Sequence, residues 1–336
     1  MARKQKLTGK VICDLLDQYP NSYSLSIAKI AYRDNPLLFN DVEHARAIVR
    51  YYRGAIGKKT KSELRETKYL KDYTTNEYNP LGLPDSDERE WLPYYLSNDC
   101  KNVLWMSDIH LPYHSIEALT VAINKGLQEN VDTIFLGGDT LDFYQLSRWE
   151  KDPKKRHFSD EMEMAREFLT KLRQLFPNAR IYFKEGNHEE RYENYLKAKA
   201  PELFSCEEFR LEILLRLGEN RIEWIGEKRI SYVGKLRLAH GHEFGRSVFS
   251  PVNPARGYYM KSKQSMMAGH NHQTSEHTEP NLDGNIETVW STGCLCELHP
   301  EYMPINKWNH GFAIIKVLPN GDYNVNNYRI HKGEIL

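Results

Sequence analysis

Seven side chains have the type and the placement to hold metal ions: Asp108, His110, Asp139, Asn187, His240, His270 and His272. They follow short runs of β-type residues, with glycine beside most of them. The run 102–106 leads into Ser107-Asp108, and 132–136 into Gly137-Gly138-Asp139. The run 180–183 leads into Glu185-Gly186-Asn187-His188, 235–239 into His240-Gly241-His242, and 265–268 into Gly269-His270-Asn271-His272. In α/β sheets, functional groups collect outside the carboxyl ends of the strands, and glycine there permits sharp turns and close backbone approach. Carboxylate, imidazole and amide donors together suit manganese, iron or zinc, and a set without thiolates argues against a structural zinc clip. Seven donors exceed the needs of one ion. A carboxylate such as Asp139 can bridge two cations about 3.5–4 Å apart, the spacing of hydrolytic two-metal sites. Such a pair holds phosphate oxygens and lowers the pKa of a bridging water, so the attacking hydroxide requires no Ser or Cys nucleophile.

Taken in order, Asp108-Ile109-His110, Gly138-Asp139-Thr140-Leu141-Asp142, Gly186-Asn187-His188-Glu189, His240-Gly241-His242 and Gly269-His270-Asn271-His272 form a recognisable series. It resembles the D-x-H, G-D-x-x-D, G-N-H-[D/E], H-G-H and G-H-x-H motifs of calcineurin-like metallophosphoesterases, over residues 100 to 275. One such motif is weak; five in order, each at a strand end, are specific. The resemblance implies two divalent cations, manganese first, with iron or zinc as alternatives. By the same resemblance Asp108, His110 and His272 bind one, Asn187, His240 and His270 bind the other, and Asp139 bridges. His188 is then not a ligand; it touches the phosphate and protonates the leaving oxygen, chemistry suited to imidazole near neutral pH. Glu189 or Asp142 would orient these groups from outside. His242 either faces the site or completes a turn.

The shared motifs do not choose a substrate. Arg46, Arg50 and Arg53, spaced by four and three, are expected on one face of a basic helix that could meet DNA. Its bland alternative is a solvated face on a cap or oligomerisation module. A basic stretch, Arg148 to His157, with Lys151, Lys154, Lys155 and Arg156, either rims the site and attracts a polyanion or is a solvated loop leading into the helix at Ser159. Phe143 follows Asp142 where protein Ser/Thr phosphatases of the family carry Arg-Gly. The segments Gly138–Pro153 and Gly186–Arg191 resemble phage and bacterial phosphoesterases described as DNA-repair-exonuclease-like. Arg191 could touch substrate phosphate or pair with a surface glutamate.

These residues need elements to position them. Strand–helix alternation from about 99 to 336 predicts an α/β layered domain, and the resemblance implies a β-sandwich flanked by helices. Helices are expected at Ser115–Glu129 and from a Ser159 cap to Phe176; strands at 287–291, 312–317 and 323–330 are expected to close the sheet edges. Residues 1–60 predict a small all-helical, helix-turn-helix-like domain, with caps at Thr8, Ser24 and Asp41. Residues 61–98 read as a linker that packs on the next domain through Trp91, Tyr94 and Tyr95. Over residues 1–72, 15 Lys+Arg face 8 Asp+Glu, so that end is basic although the whole chain balances at 46 each. Hydrophobic residues at 40% and charged residues at 27% support a packed core rather than disorder. No apolar run reaches membrane-spanning length, so no membrane partner is expected. Five cysteines, an odd number, fit reduced thiols in a cytoplasm (the host's, for a phage-encoded chain). Cys294 and Cys296 read as small buried residues rather than a metal clip.

The function these features support is a phosphodiesterase acting on nucleic acid, a DNA nuclease, with homo-oligomerisation open. One alternative is a nucleotide or small-molecule phosphoesterase. The other is a DNA-binding scaffold whose metal site is only structural, against which the intact His188 argues.

Overall fold

Apolar residues at helical spacing build the N-terminal unit. The computed structural model describes residues 7–20, 22–53, 91–147, 157–245 and 252–336. The chain divides into two compact units, Met1–Trp91 with Leu217–Glu223, and Leu92–Arg216 with Trp224–Leu336. In the first, α1 (Leu7–Gln18), α2 (Ser24–Asp34) and α3 (Val42–Tyr52) enclose Ile12, Leu16, Ile27, Ala28, Ala31, Ala45 and Val49. Asp41 caps α3 as expected, accepting from the His44 N–H at 2.6 Å. Thr8 and Ser24 lie inside the first turns of their helices rather than before them.

The expected three-arginine face does not form. Arg53 is buried just past α3, donating to Ser24 Oγ at 3.2 Å and to the Ser22 carbonyl at 2.5 Å. It thereby ties the α1–α2 connection to the end of α3, because a buried guanidinium must spend its donors on nearby acceptors. Arg46 is largely covered and pairs with Glu43 at 3.2 Å. Of the three, Arg50 alone is exposed.

The larger unit rests on period-two alternation. Its strands are β1 (Tyr94–Tyr95), β2 (Asn102–Met106), β3 (Thr133–Leu136), β4 (Arg180–Lys184), β5 (Ile222–Ile225), β6 (Ser231–Val233), β7 (Leu236–Ala239), β8 (Met266–Ala268), β9 (Ser275–Pro280), β10 (Ile286–Ser291), β11 (His310–Val317), β12 (Tyr323–His331) and β13 (Glu334–Ile335). One sheet runs β13-β12-β11-β2-β3-β4-β5 and the other β1-β6-β7-β8-β10-β9. Val103, Trp105, Phe135, Tyr182, Ala313 and Ile315 of the first meet Tyr94, Val233, Leu236, Leu238 and Met267 of the second in one buried cluster. Outward residues of the same strands face helices. On α4 (Ile116–Gln128), Gly126 lets the helix approach β2, since a Cβ there would stand 2.7 Å from Leu104. Ser115 caps that helix, accepting from the Ala118 N–H at 3.3 Å. On the other flank α9 (Pro254–Ser262) packs Ala255, Tyr258 and Tyr259 against Ala239, Met266, Ala268 and Val289.

Three expectations change here. The stretch 61–98 is described only from residue 91, and Tyr94–Tyr95 is a strand paired parallel to β6, with Tyr94 in the sandwich core and Trp91 exposed. The late strands are not all edges: β11 lies between β12 and β2, and β10 between β8 and β9. Helix α5 (Phe158–Leu175) begins after His157, so Ser159 sits in its first turn. Among the described residues no helix is long and apolar enough to cross a membrane.

Beside the core, α6 (Glu190–Lys199), α7 (Pro201–Phe204) and α8 (Leu211–Leu214) follow β4. Glu212 on α8 is buried, with Oε1 lacking a hydrogen-bond partner among the described residues, and burial pushes its carboxyl up to about 7 from 4.5. Between those values the folded chain binds a proton that the unfolded chain has lost. Stability therefore falls as pH rises from about 4.5 through 7. At about 1.4 kcal/mol per pKa unit the loss is about 3 kcal/mol. Glu212→Gln should flatten that part of a melting-temperature profile against pH; an unchanged slope assigns it to other groups.

Candidate metal centre

Strands β2, β3 and β4 are parallel neighbours, as are β7, β8 and β10, so their carboxyl ends collect on common edges. The residues just past those ends turn inward through an unusual backbone. Asp108, His110, Asp139, His270 and His272 all have φ between 51° and 67°. That left-handed region is disfavoured for residues with a Cβ, and such strain concentrates at functional sites. Glycine takes the tightest approaches: a Cβ on Gly186 would stand 2.2 Å from Asp139 Oδ1.

The donors converge. Asp108 Oδ1 lies 3.2 Å from His272 Nε2, which lies 3.2 Å from His110 Nε2. Asp139 Oδ2 stands 3.2 Å from His240 Nε2, and Asn187 Oδ1 is also 3.2 Å from that nitrogen. Ligand atoms of Asp108, His110 and Asp139 lie within 4.8 Å of one another, and so do those of Asp139, His240 and His270. Asp139 belongs to both groups. The outer nitrogens point away: His110 Nδ1 sits 3.1 Å from Asp142 Oδ1, and His240 Nδ1 2.9 Å from the Gly137 carbonyl. A ring that donates from Nδ1 presents its Nε2 lone pair inward, as a metal-ligating imidazole must. The residues present therefore fit two cations.

Charge balance agrees. Burial alone would raise Asp108 and Asp139, yet the neighbouring imidazoles hold both carboxyls well below the usual range. Burial would lower His240, but Asp139 and Asp108 push it up to about 10; at His272 the Asp108 carboxylate does the same, also to about 10. His270, buried beside His240, is pulled down to about 4. Two buried, ionised carboxylates that draw positive charge onto their imidazole neighbours make a site suited to cations, which would take the place of the ring protons.

Outer carboxylates hold the loops. Glu189 is fully buried and accepts from the backbone N–H groups of Asp139 (3.0 Å), Leu141 (2.9 Å) and Gly186 (2.8 Å), joining the β3 and β4 ends. Burial and Asp139 push its carboxyl up to about 7. Two further supports escaped sequence reading. Glu161 on α5 accepts from Asp142 N at 2.9 Å and Phe143 N at 2.6 Å. Glu243 accepts from His240 N at 3.0 Å and Gly241 N at 2.6 Å while pairing with the buried Lys184 at 2.8 Å. Nothing local in the sequence marks either; both act on loops far away or through a partner on another strand. Tyr258 donates to the Gly269 carbonyl at 3.2 Å, bracing the loop that carries His270.

His188 stands at the edge of the cluster, its Nε2 3.8 Å from Asp139 Oδ2. Its Nδ1 donates to the Asp142 carbonyl at 2.8 Å, and Arg191 donates to its Nε2 at 2.9 Å and to the same carbonyl at 2.7 Å. His242 turns to Glu190, 2.9 Å away, and takes no place in the donor groups. Arg46, Arg50 and Arg53 belong to the other unit. Of the basic stretch at 148–157, residues 148–156 lie outside the described residues. Trp308 packs on the His272 ring, centroids 4.2 Å apart, and His310 Nε2 donates to the Cys296 carbonyl at 2.9 Å; Phe312 packs instead against Tyr328.

The calcineurin-like phosphoesterase family matches residues 101–281, more than half the chain. No curated protein matches. Among solved structures, a Vps29 single mutant from Entamoeba histolytica is similar at 13% identity, covering 70% of this chain and 96% of its own, with a TM-score of 0.37. A predicted phosphoesterase from Streptococcus pneumoniae TIGR4 is 14% identical over 70% of this chain and 95% of its own, TM-score 0.30. A dimetal phosphatase from Danio rerio is 12% identical over 68% and 96%, TM-score 0.35. The family assignment rests on the sequence match.

Gly186→Ala should displace Asp139 and weaken metal binding at least about tenfold, the effect of disturbing ligand support. Calorimetric titration with a divalent cation reads it; unchanged affinity means the Asp139 carboxylate is not a ligand where it stands. Glu189→Ala, by leaving three buried N–H groups unpaired, should cost about 3 kcal/mol or more in denaturant unfolding.

Proposed function

The chain belongs to the calcineurin-like phosphoesterase family, and on that premise we propose that it is a two-cation phosphodiesterase acting on nucleic acid, a DNA nuclease. The observation that carries the hydrolytic reading is the overlap of two buried donor groups at Asp139, with His188 and Arg191 at their edge. Asp108, His110 and His272 would hold one cation, Asn187, His240 and His270 the other, and Asp139 both. When bound, the cations supply Lewis acidity toward phosphate oxygens and an activated water. Manganese is the first choice, and iron or zinc suit the same donors.

The chain's own groups do the rest. The Asp142 carbonyl fixes the His188 tautomer with Nε2 as the working nitrogen. Asp142 Oδ1 also lies 3.4 Å from Nδ1, and a proton carried on Nε2 can pass to the departing alcohol oxygen. The Arg191 guanidinium, which occupies Nε2 here, is placed to shift onto a phosphate oxygen of the substrate. Phe143, where the family's protein phosphatases carry Arg-Gly, is a core aromatic packed on Phe158 and Tyr192. That supports a substrate other than phosphoprotein. The cationic sequence at 148–156 supports a polyanion.

A second reading, a nucleotide or small-molecule phosphoesterase with the helical unit as an assembly module, is favoured by the internal use of Arg53 and Arg46.

The test compares end-labelled single- and double-stranded DNA with a generic phosphodiester and a phosphomonoester in Mn²⁺. His188→Asn and a chelated sample are controls. The nuclease reading expects DNA cleavage by the wild type and a drop of about 10²- to 10⁴-fold in His188→Asn, the usual worth of a general acid. That drop should shrink for esters whose leaving group needs no proton. Intact DNA alongside a hydrolysed small ester would transfer the function to the second reading. An equal loss for all leaving groups would remove the acid role from His188.

A further inference from the structure

A sixth strand end reaches the metal centre, and it carries sulfur. Past β10 the chain runs Thr292-Gly293-Cys294-Leu295-Cys296 beside Asp108, whose carbonyl accepts from Leu295 N at 3.0 Å. Cys296 is 3% exposed. Its Sγ forms a buried trio with His110 and His272, ligand atoms within 4.8 Å of one another. On the other strand ends the donors stand one to four residues past the last strand residue, and Cys296 stands five past the end of β10.

The sulfur does not behave as an ordinary outer partner. The outer nitrogens of His110, His188 and His240 are held by oxygen at 2.8–3.1 Å. Cys296 Sγ lies 3.9 Å from His272 Nδ1, too long to anchor that ring comparably. The His272 ring is also held by Trp308 packed on it and by the Cys294 thiol. Nor is the setting apolar, as it is for most structural cysteines: two imidazoles and the Cys294 thiol adjoin it. Cys294 also touches His272 and the Cys296 thiol, and its Sγ sits 3.7 Å from the Asn309 carbonyl and 3.9 Å from that of Cys296, where a thiol proton can be accepted.

We propose that Cys296 is a thiolate ligand on the Asp108–His110–His272 side of the centre, which makes that position selective for a thiophilic cation of the zinc, iron or cobalt class. This rests on the two-cation reading above, and it amends the oxygen- and nitrogen-only donor set that the motifs imply. Thiolate ligands favour zinc and iron over manganese and magnesium. The thiol proton leaves to solvent as the sulfur–metal bond forms.

The test loads metal-free full-length protein with Co²⁺ under reducing, oxygen-free conditions and records its absorption. The expected wild-type spectrum has visible d–d bands and an intense thiolate-to-cobalt charge-transfer band in the near ultraviolet. Cys296→Ser should lose the charge-transfer band and keep the d–d bands, while Cys294→Ser keeps both. Competition of Zn²⁺ with Mn²⁺ should favour zinc less in Cys296→Ser, by tenfold or more. Cobalt bound with d–d bands but no charge-transfer band in the wild type overturns the proposal and leaves the metal centre standing, with Cys296 reduced to a neighbour of His272. A band that survives in Cys296→Ser overturns it too. Absence of all cobalt absorption would sink the metal centre itself, and the proposal with it. Should Cys296→Ser not fold, zinc-edge X-ray absorption of the wild type decides: a sulfur scatterer at about 2.3 Å supports the ligand, and a shell of nitrogen and oxygen alone refutes it.

Discussion

The carboxylate of Asp139 is fixed from several directions, and the centre is arranged around it. Oδ1 accepts from the His188 N–H at 2.9 Å, leaving Oδ2 to face His240, His110 and His188. The peptide N–H of Asp139 is itself held by Glu189, and Gly186 passes so close that no larger residue fits. A bridging ligand must aim one side chain at two places at once. That demands a backbone held harder than the side chain, which is what the parallel strand ends and Glu189 supply.

Holding it has an energetic cost spread over the neighbourhood. Five donor residues take left-handed backbone angles, each of order 1 kcal/mol or more above extended geometry. Buried Glu161, Glu189 and the Lys184–Glu243 pair are desolvated to satisfy loop N–H groups. The sandwich beneath compensates, with inward residues such as Trp105, Phe135, Leu238 and Met267 fully buried. Rigid apolar layers thus carry a polar, strained rim, the usual division between scaffold and site.

The N-terminal unit shows how a basic composition can mislead. Arg53 falls at the right spacing for a helix face, yet α3 ends one residue before it, and the guanidinium turns back to cap the α1–α2 connection. Charge counted along a helix says nothing of which cations the local fold consumes. Arg50 keeps its exposure.

The sequence by itself determined the strand-to-ligand order of the centre. Each donor sits beside a short β-type run, and that adjacency is a local property of neighbouring residues. Local chemistry also placed the cap Asp41, whose side chain reaches an N–H group three residues on. Tertiary structure alone decided the rest. It made β11 and β10 interior strands, brought Glu161 under the Asp142 turn, and paired Glu243 with Lys184. It also set Cys296 beside His110 and His272, contacts 186 and 24 residues apart in the chain. Pairings over such separations are fixed by how sheets stack and which edge their ends share, and no spacing along the chain encodes that.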